Sequence, residues 1–276
     1  MALHIEPIAP ALGAEIHGLD LREPLGAGTV EILHDALMRH QVIFLRGQDI
    51  TPEQQVRFAR HFGEPMVHPF IGNLPEWPQV SVIEHDERKR PTENHWHTDV
   101  SFAIEPAMGS ILLARHVPAN GGDTMWANMY EAYDTLSGAM QRFLGEHRAV
   151  HDFTMAFGPT VARLQADPEK MNRKRAEHPP VEHPIVRTHP VTGRKALYVN
   201  SAFTSHVKDM TASESESLLA FLYRHLQTPE FTCRFRWQRH SMAFWDNRCT
   251  QHYALADYFP QRRLMHRIAL KGERPV

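Results

Sequence analysis

Arg263-Leu264-Met265-His266-Arg267-Ile268-Ala269-Leu270 reads as a β-strand with two unlike faces. Successive side chains of a strand point to opposite sides, so Arg263, Met265 and Arg267 share one face and Leu264, His266, Ile268 and Leu270 the other. Two guanidinium groups on one face, about 13 Å apart at the usual rise per residue, could hold two different anions. The planar fork of arginine suits that task, because it grips a carboxylate or sulfonate with paired, charge-assisted bonds. The alternative is an edge strand with its arginines in water.

Outward from this segment the chain is mostly short strands separated by Pro and Gly. Strands are expected over 41–45, 80–84, 109–116, 124–127, 148–153, 185–188, 196–200, 231–237 and 242–245, with Thr192-Gly193 as a hairpin turn. Helices are fewer. Residues 30–40 carry Ile32, Leu33, Ala36 and Leu37 at helical spacing. Thr51-Pro52-Glu53-Gln54 opens a second helix, with Thr as N-cap, Pro at the first helical position and Gln three residues after the cap. That helix is expected to stop at Gly63. One helical region is expected over 129–144, and another after the capping box Thr211-Ala212-Ser213-Glu214, where Leu218, Leu219, Leu222 and Leu226 form one apolar stripe. The polar segment 154–180, with Lys170, Arg173, Lys174 and Arg175, reads as a solvated loop or helix face, or else as a lid over a site. No repeat or Gly/Ser-rich linker divides the chain. The expectation is therefore one domain over 1–276, mainly β with peripheral helices, built as a double-sheet jelly roll.

Composition narrows the partners. Hydrophobic content of 42% and charged content of 22% are those of an ordinary globular protein, and the net charge of −2 points to neither nucleic acid nor a membrane surface. The two cysteines, Cys233 and Cys249, lack metal or disulfide spacing and read as buried free thiols. With no basic and apolar leader at the start and no apolar run of membrane length, the chain is expected to be cytoplasmic. A homo-oligomer, dimer or tetramer, acting on a small anionic substrate is the expected assembly.

The chemistry-bearing candidates are histidines and a carboxylate. In His95-Trp96-His97-Thr98-Asp99, extended backbone would point His97 and Asp99 the same way, so that one imidazole and one carboxylate could share a metal ion. His252, after a strand and a short polar turn, is the candidate third ligand, at the rim of the barrel. Two His and one carboxylate with open positions is the arrangement of non-haem Fe(II) oxygenases. His-x-Asp alone proves little in a chain with 20 histidines. Gly121-Gly122-Asp123-Thr124 is by itself only a glycine turn feeding a strand.

Taken together, His97-Thr98-Asp99, the Gly-Gly-Asp-Thr turn, Trp245-Asp246-Asn247-Arg248 followed by His252, and Gln261-Arg262-Arg263 through His266-Arg267 resemble the taurine dioxygenase (TauD/TfdA) family of Fe(II)- and 2-oxoglutarate-dependent dioxygenases. The resemblance runs from Leu12-Gly13-Ala14-Glu15-Ile16 to Gly272. It implies a double-stranded β-helix, Fe(II) held by His97, Asp99 and His252, and 2-oxoglutarate held by Thr124 and Arg263. O2 would be the second cosubstrate, with succinate and CO2 as products. It further implies that Arg267 and His68 hold the anionic group of the substrate, with Phe157 and Phe203 as apolar walls. The substrate would be a small organosulfonate, taurine first, oxidised next to sulfur to release sulfite and an aldehyde. Alkyl sulfate esters and aryloxyalkanoates are the alternatives within the family.

Three positions depart from the taurine pattern. Ile71 stands where those enzymes carry Tyr, Ala156 where they carry Ser, and Glu93 where they carry Asn, with Asn94 one residue later. Glu93 could favour an amine-bearing substrate, whereas Ile71 and Ala156 suit a longer alkyl chain. A reading from another class is a zinc hydrolase on the same His97, Asp99 and His252, which leaves Thr124 and Arg263 without a role.

Overall fold

The computed structural model describes residues 3–155 and 166–276. An eight-stranded sheet places His4–Pro7, Ala14–His17, Val42–Leu45, Met242–Asp246, Gly109–His116, Arg263–Leu270 and Pro65–Met66 side by side, with Ser81–His85 also paired to Arg263–Leu270. A three-stranded sheet of Thr232–Phe235, Thr124–Asn128 and Thr250–Ala254 packs against it. A second three-stranded sheet, Thr204–Val207, Arg148–His151 and Val181–Pro184, and the hairpin Val186–Thr188 with Lys195–Leu197 complete the β structure.

The strands of the large sheet are apolar on both faces because both faces are covered. Val42, Phe44, Ala243, Trp245, Leu112 and Met265 point inward to meet Trp126, Phe235 and Trp237 of the smaller sheet. Phe44 stacks on Phe235 with ring centroids 4.1 Å apart and meets Trp126 edge-on at 5.2 Å. The alternate residues, Ile43, Leu45, Ile111, Leu113, Phe244 and Ile268, point outward to the helices Ala27–His40 and Pro52–Arg60, where Leu33, Leu37, Val56 and Phe58 receive them. Each such side chain contributes about 1.5–3 kcal/mol by leaving water. The outer side of the smaller sheet is closed by Met129–Asp134 and Ala212–Leu226 through Tyr130, Leu222 and Leu226. Two sheets face to face with helices outside them form the expected mainly β jelly roll. Among the described residues no helix is long and apolar enough to cross a membrane.

Arg263–Leu270 lies inside the sheet, bonded on both sides, and is not an edge. Its alternation holds: Arg263, Met265 and Arg267 are all buried. The capping boxes at Thr51 and Thr211 form as expected.

Other expectations are corrected. The helical region over 129–144 is two helices, Met129–Asp134 and Gly138–Gly145, because Ser137 caps the second by accepting from the Met140 amide. His252, expected to follow a strand and a short polar turn, lies in the middle of a further strand, Thr250–Ala254. His97 and Asp99 are not on a regular strand: His97 makes an isolated bridge to His252, and Asp99 begins a turn. The polar segment after residue 154 does hold a solvated helix face, in Pro168–Glu177 capped by Asp167, and only its Met171 is buried, in a cluster with Phe102, Phe153 and Phe203. Residues 156–165, with Ala156 and Phe157, lie outside the described part.

Candidate active site

The site forms where the loop before Asp99 crosses the smaller sheet. The His97 amide donates to the His252 carbonyl at 3.0 Å and the His252 amide to the His97 carbonyl at 2.8 Å, which sets the two imidazoles side by side with centroids 4.1 Å apart. Thr98 Oγ1 donates to the Thr250 carbonyl at 2.7 Å and pins the same segment to the same strand. Asp99 Oδ1 then lies 3.9 Å from His97 Nε2 and 3.9 Å from His252 Nε2. All three donor atoms fall within 4.8 Å of one another.

Each donor is prepared by its surroundings. His97 Nδ1 bonds the His95 carbonyl at 2.9 Å, which puts its proton there and leaves Nε2 with a free lone pair. Burial, with His252 alongside, pushes His97 down to about 4, and burial pushes His252 down to about 4 against the pull of Asp99. Both rings are neutral at physiological pH, as ligation requires. Burial opposes ionisation of Asp99, but Arg267, His252, His97 and a 2.6 Å bond from Ser110 Oγ outweigh it and hold the carboxyl well below its usual range. The chain then turns at Val100, whose φ of 57° is a left-handed value that a β-branched residue rarely takes. Two imidazole nitrogens and an anionic oxygen, converging and buried, fit a divalent cation with nitrogen and oxygen preference.

These residues open onto a cavity of about 630 Å³. His68, Ile71, Glu93, His97, Asp99, Thr124, Phe203, His252, Arg263 and Arg267 all line it. Asn94 does not, and is exposed. The two arginines occupy separate parts of the strand, as the alternation predicts. Arg263 lies with its guanidinium carbon 5.9 Å from the ring centres of both Trp237 and Tyr258, and its Nε and Nη2 have no hydrogen-bond partner. Thr124 Oγ1 accepts from Trp237 Nε1 at 3.0 Å, so its hydroxyl hydrogen is available to the cavity. Arg267 donates from Nη1 to Asp99 Oδ1 at 2.7 Å, with Nε and Nη2 unpartnered. A buried guanidinium with donors to spare is costly unless an anion completes it. His68 Nδ1 accepts from the Phe70 and Ile71 amides, so its proton sits on Nε2; burial and the charge of Arg267 push it down to about 3, which makes it a neutral donor.

The motifs that looked like ordinary turns acquire roles here. Gly121 and Gly122 both have positive φ. A Cβ on Gly122 would come within 3.2 Å of the Arg263 stem and of the Tyr258 ring, so only glycine lets that pair pack. Asp246 accepts from Arg248 and His189, and Asn247 Oδ1 accepts from Trp245 Nε1 at 2.9 Å while its Nδ2 reaches Ser110. Sequence reasoning missed Ser110, His85 and Tyr258. Ser110 had no signal; His85 could have been found by pairing 81–85 with 263–267.

A jelly roll whose inner face brings two histidines and a carboxylate beside two buried arginines is the build of a metal-dependent dioxygenase. Residues 4–269 match the family described as "Taurine catabolism dioxygenase TauD, TfdA family", and the chain belongs to it. It is a 2-oxoglutarate-dependent dioxygenase. It is 38% identical over 285 residues to an alpha-ketoglutarate-dependent sulfate ester dioxygenase of Pseudomonas putida, covering 100% of this chain and 92% of that protein. An alkylsulfatase of Acinetobacter baylyi is 37% identical, over 98% of this chain and 86% of its own length. The crystal structure of a taurine dioxygenase from Burkholderia xenovorans superposes with a TM-score of 0.86 at 38% identity, over 100% of this chain and 91% of that one.

Proposed function

We propose that the protein oxidises an alkyl sulfate ester or alkylsulfonate with an apolar chain, in preference to taurine. In this reading Fe(II) is held by His97, Asp99 and His252, and 2-oxoglutarate by Thr124 and Arg263. When bound, the iron supplies the family's oxidative chemistry, in which O2 and 2-oxoglutarate yield succinate, CO2 and a hydroxylated substrate. The chain's own residues do the selecting. Arg267, with His68 as a neutral donor beside it, takes the sulfate or sulfonate oxygens, and Ile71, Val100 and Phe203 offer an apolar path for the carbon chain. Hydroxylation of the carbon next to the ester oxygen leaves an adduct that splits into aldehyde and hydrogen sulfate; next to sulfur, the same step releases sulfite. Dry walls around the reacting carbon exclude water from it.

The observation that carries the preference is the state of Glu93. Its Oε2 lies 3.2 Å from His85 Nε2, and the only other carboxylate among the described cavity-lining residues is Asp99. An ammonium reaching Glu93 would therefore meet a carboxylate whose Oε2 is already engaged by His85 and by the Thr92 amide. A panel of n-alkyl sulfates, n-alkylsulfonates, taurine and aryloxyacetates, assayed for substrate-triggered succinate formation, tests this. The highest kcat/KM is expected for a sulfate ester or sulfonate with an alkyl chain. Taurine as the best substrate would overturn the preference, and an aryloxyacetate as the best would overturn the class.

A further inference from the structure

On the Arg263 side of the cavity lies a chain of side chains that the reaction as described does not use. Glu93 Oε2 lies 3.2 Å from His85 Nε2, and His85 Nδ1 lies 2.9 Å from the Tyr258 hydroxyl. All three line the cavity with Arg263. A carboxylate only accepts, so His85 Nε2 carries the proton it receives; with one proton on the ring, Nδ1 accepts from Tyr258. The chain thus runs in one direction, Tyr258 to His85 to Glu93, and leaves the lone pairs of the Tyr258 oxygen turned from His85.

Its placement follows from register. Arg263 pairs with His85 across adjacent strands, so their side chains stand next to each other on one face. The Tyr258 ring lies 5.9 Å from the Arg263 guanidinium carbon, and both bear on Gly122. Tyr258 sits on an irregular segment, which is itself held by Asp257 Oδ1 accepting from the Gly122 amide at 2.7 Å. Glu93 comes from the loop that leads to His97.

We propose that Glu93, His85 and Tyr258 are positioning residues for the cosubstrate: the chain fixes Tyr258 against Arg263, and so presents the guanidinium to the distal carboxylate of 2-oxoglutarate. The inference rests on Arg263 being the cosubstrate anchor. It takes Glu93 away from the substrate half of the cavity, where its position in the sequence suggests it belongs. It also ties the loop preceding the two metal-donor residues to the cosubstrate arm.

The test is a calorimetric titration of 2-oxoglutarate into Mn(II)-loaded wild-type protein and the variants Glu93→Leu, Tyr258→Phe and their double, alongside steady-state KM for the preferred sulfur substrate. Each single variant is expected to weaken 2-oxoglutarate binding roughly threefold to tenfold, the effect of one hydrogen bond. The double variant should lose clearly less than the product of the two, because both changes break one chain. The sulfur-substrate KM should stay within about twofold. His85→Gln, whose amide can still accept from Tyr258 and donate to Glu93, should retain near wild-type affinity where His85→Leu does not. Loss that multiplies independently, or a raised sulfur-substrate KM with unchanged 2-oxoglutarate affinity, overturns the proposal. If Arg263→Leu leaves 2-oxoglutarate affinity intact, the anchor assignment itself fails, which is a different result from failure of the chain.

Discussion

Asp246→Asn is expected to destabilise the fold by about 3 kcal/mol or more without touching the cavity. Asp246 is fully buried and accepts from Arg248 Nε at 2.9 Å, Arg248 Nη2 at 2.7 Å, the Arg248 amide at 2.9 Å and His189 Nε2 at 3.0 Å. His189 Nδ1 in turn accepts from the Val191 and Thr192 amides, so the ring has no other acceptor for its proton. Removing one partner of a buried pair strands the other, at a cost of about 3–5 kcal/mol. For a chain of this size that corresponds to a drop of roughly 5–9 °C in melting temperature. Burial would raise the Asp246 pKa, but the bonds from Arg248 and His189 more than reverse this and set it below its usual value of 3.8. A depressed carboxylate contributes stability above its unfolded pKa and loses it as pH falls through the folded one. The gap between wild type and variant, read by scanning calorimetry, should therefore be flat from pH 5 to pH 8 and narrow only below about pH 4. Adding Arg248→Met should recover part of the loss, since it removes the stranded cation. A gap under about 1 kcal/mol at pH 7, or a double variant less stable than the single, refutes the account.

Other outcomes follow from the site. Arg263→Leu should abolish 2-oxoglutarate binding, whereas Arg267→Ala should raise substrate KM at least tenfold and leave some uncoupled succinate formation; identical behaviour of the two would break the division of labour. Asp99→Ala should purify without bound iron by elemental analysis, and chelator-treated wild type should regain activity on Fe(II) addition; iron retained at wild-type stoichiometry in the variant would remove Asp99 from the ligand set. Ser110→Ala, which takes a charge-assisted bond from Asp99 and the acceptor of Asn247 Nδ2, should cost about 1.5–3 kcal/mol in urea denaturation; a loss within experimental error would mean the Asp99 carboxylate is held without it. Ile71→Tyr should shift the substrate panel toward smaller, more polar sulfonates with 2-oxoglutarate affinity unchanged, and a panel order unaltered by the change would exclude Ile71 from the substrate wall.

The legible part of the fold was the part with short-range grammar. Period-two alternation placed Arg263, Met265 and Arg267 on one buried face, and two capping boxes opened helices at Thr51 and Thr211. The strand Thr250–Ala254 escaped because Thr-Gln-His-Tyr carries no apolar run. It is buried all the same: Gln251 Nε2 donates to the Val199 carbonyl at 2.6 Å and Thr250 Oγ1 to the Asp246 carbonyl at 2.7 Å, partners that local pattern does not reveal. The helix break at 135–137 lay in a residue, Ser137, that reads equally well as a helix surface position. In the site, spacing brought His97 and Asp99 together, though through a single bridge and a turn in place of a strand. Register set His85 beside Arg263, and the loop that leads to His97 brought Glu93 to it; both are long-range arrangements that local pattern does not carry.

The two halves of the cavity are built from different material, and this bears on how one scaffold can serve different substrates. Thr124, His252 and Arg263 all project from strands. Moving any of them means shifting a strand by one residue, which would turn its whole buried face outward. Arg267 shares that constraint, so in the proposed reading its grip on the substrate anion is as fixed as the cosubstrate arm. His68, Ile71, Val100 and Phe203 stand instead on loops and turns, where a substitution alters the wall without disturbing a ladder of backbone bonds. In the proposed reading the sheet supplies Arg267 for the charged end of the substrate, with His68 added from a loop, and the body attached to it is bounded by segments that the sheet leaves free to vary. Ile71 in place of a tyrosine is a change of the second kind, since it removes a hydroxyl from the wall while leaving both arginines where they were.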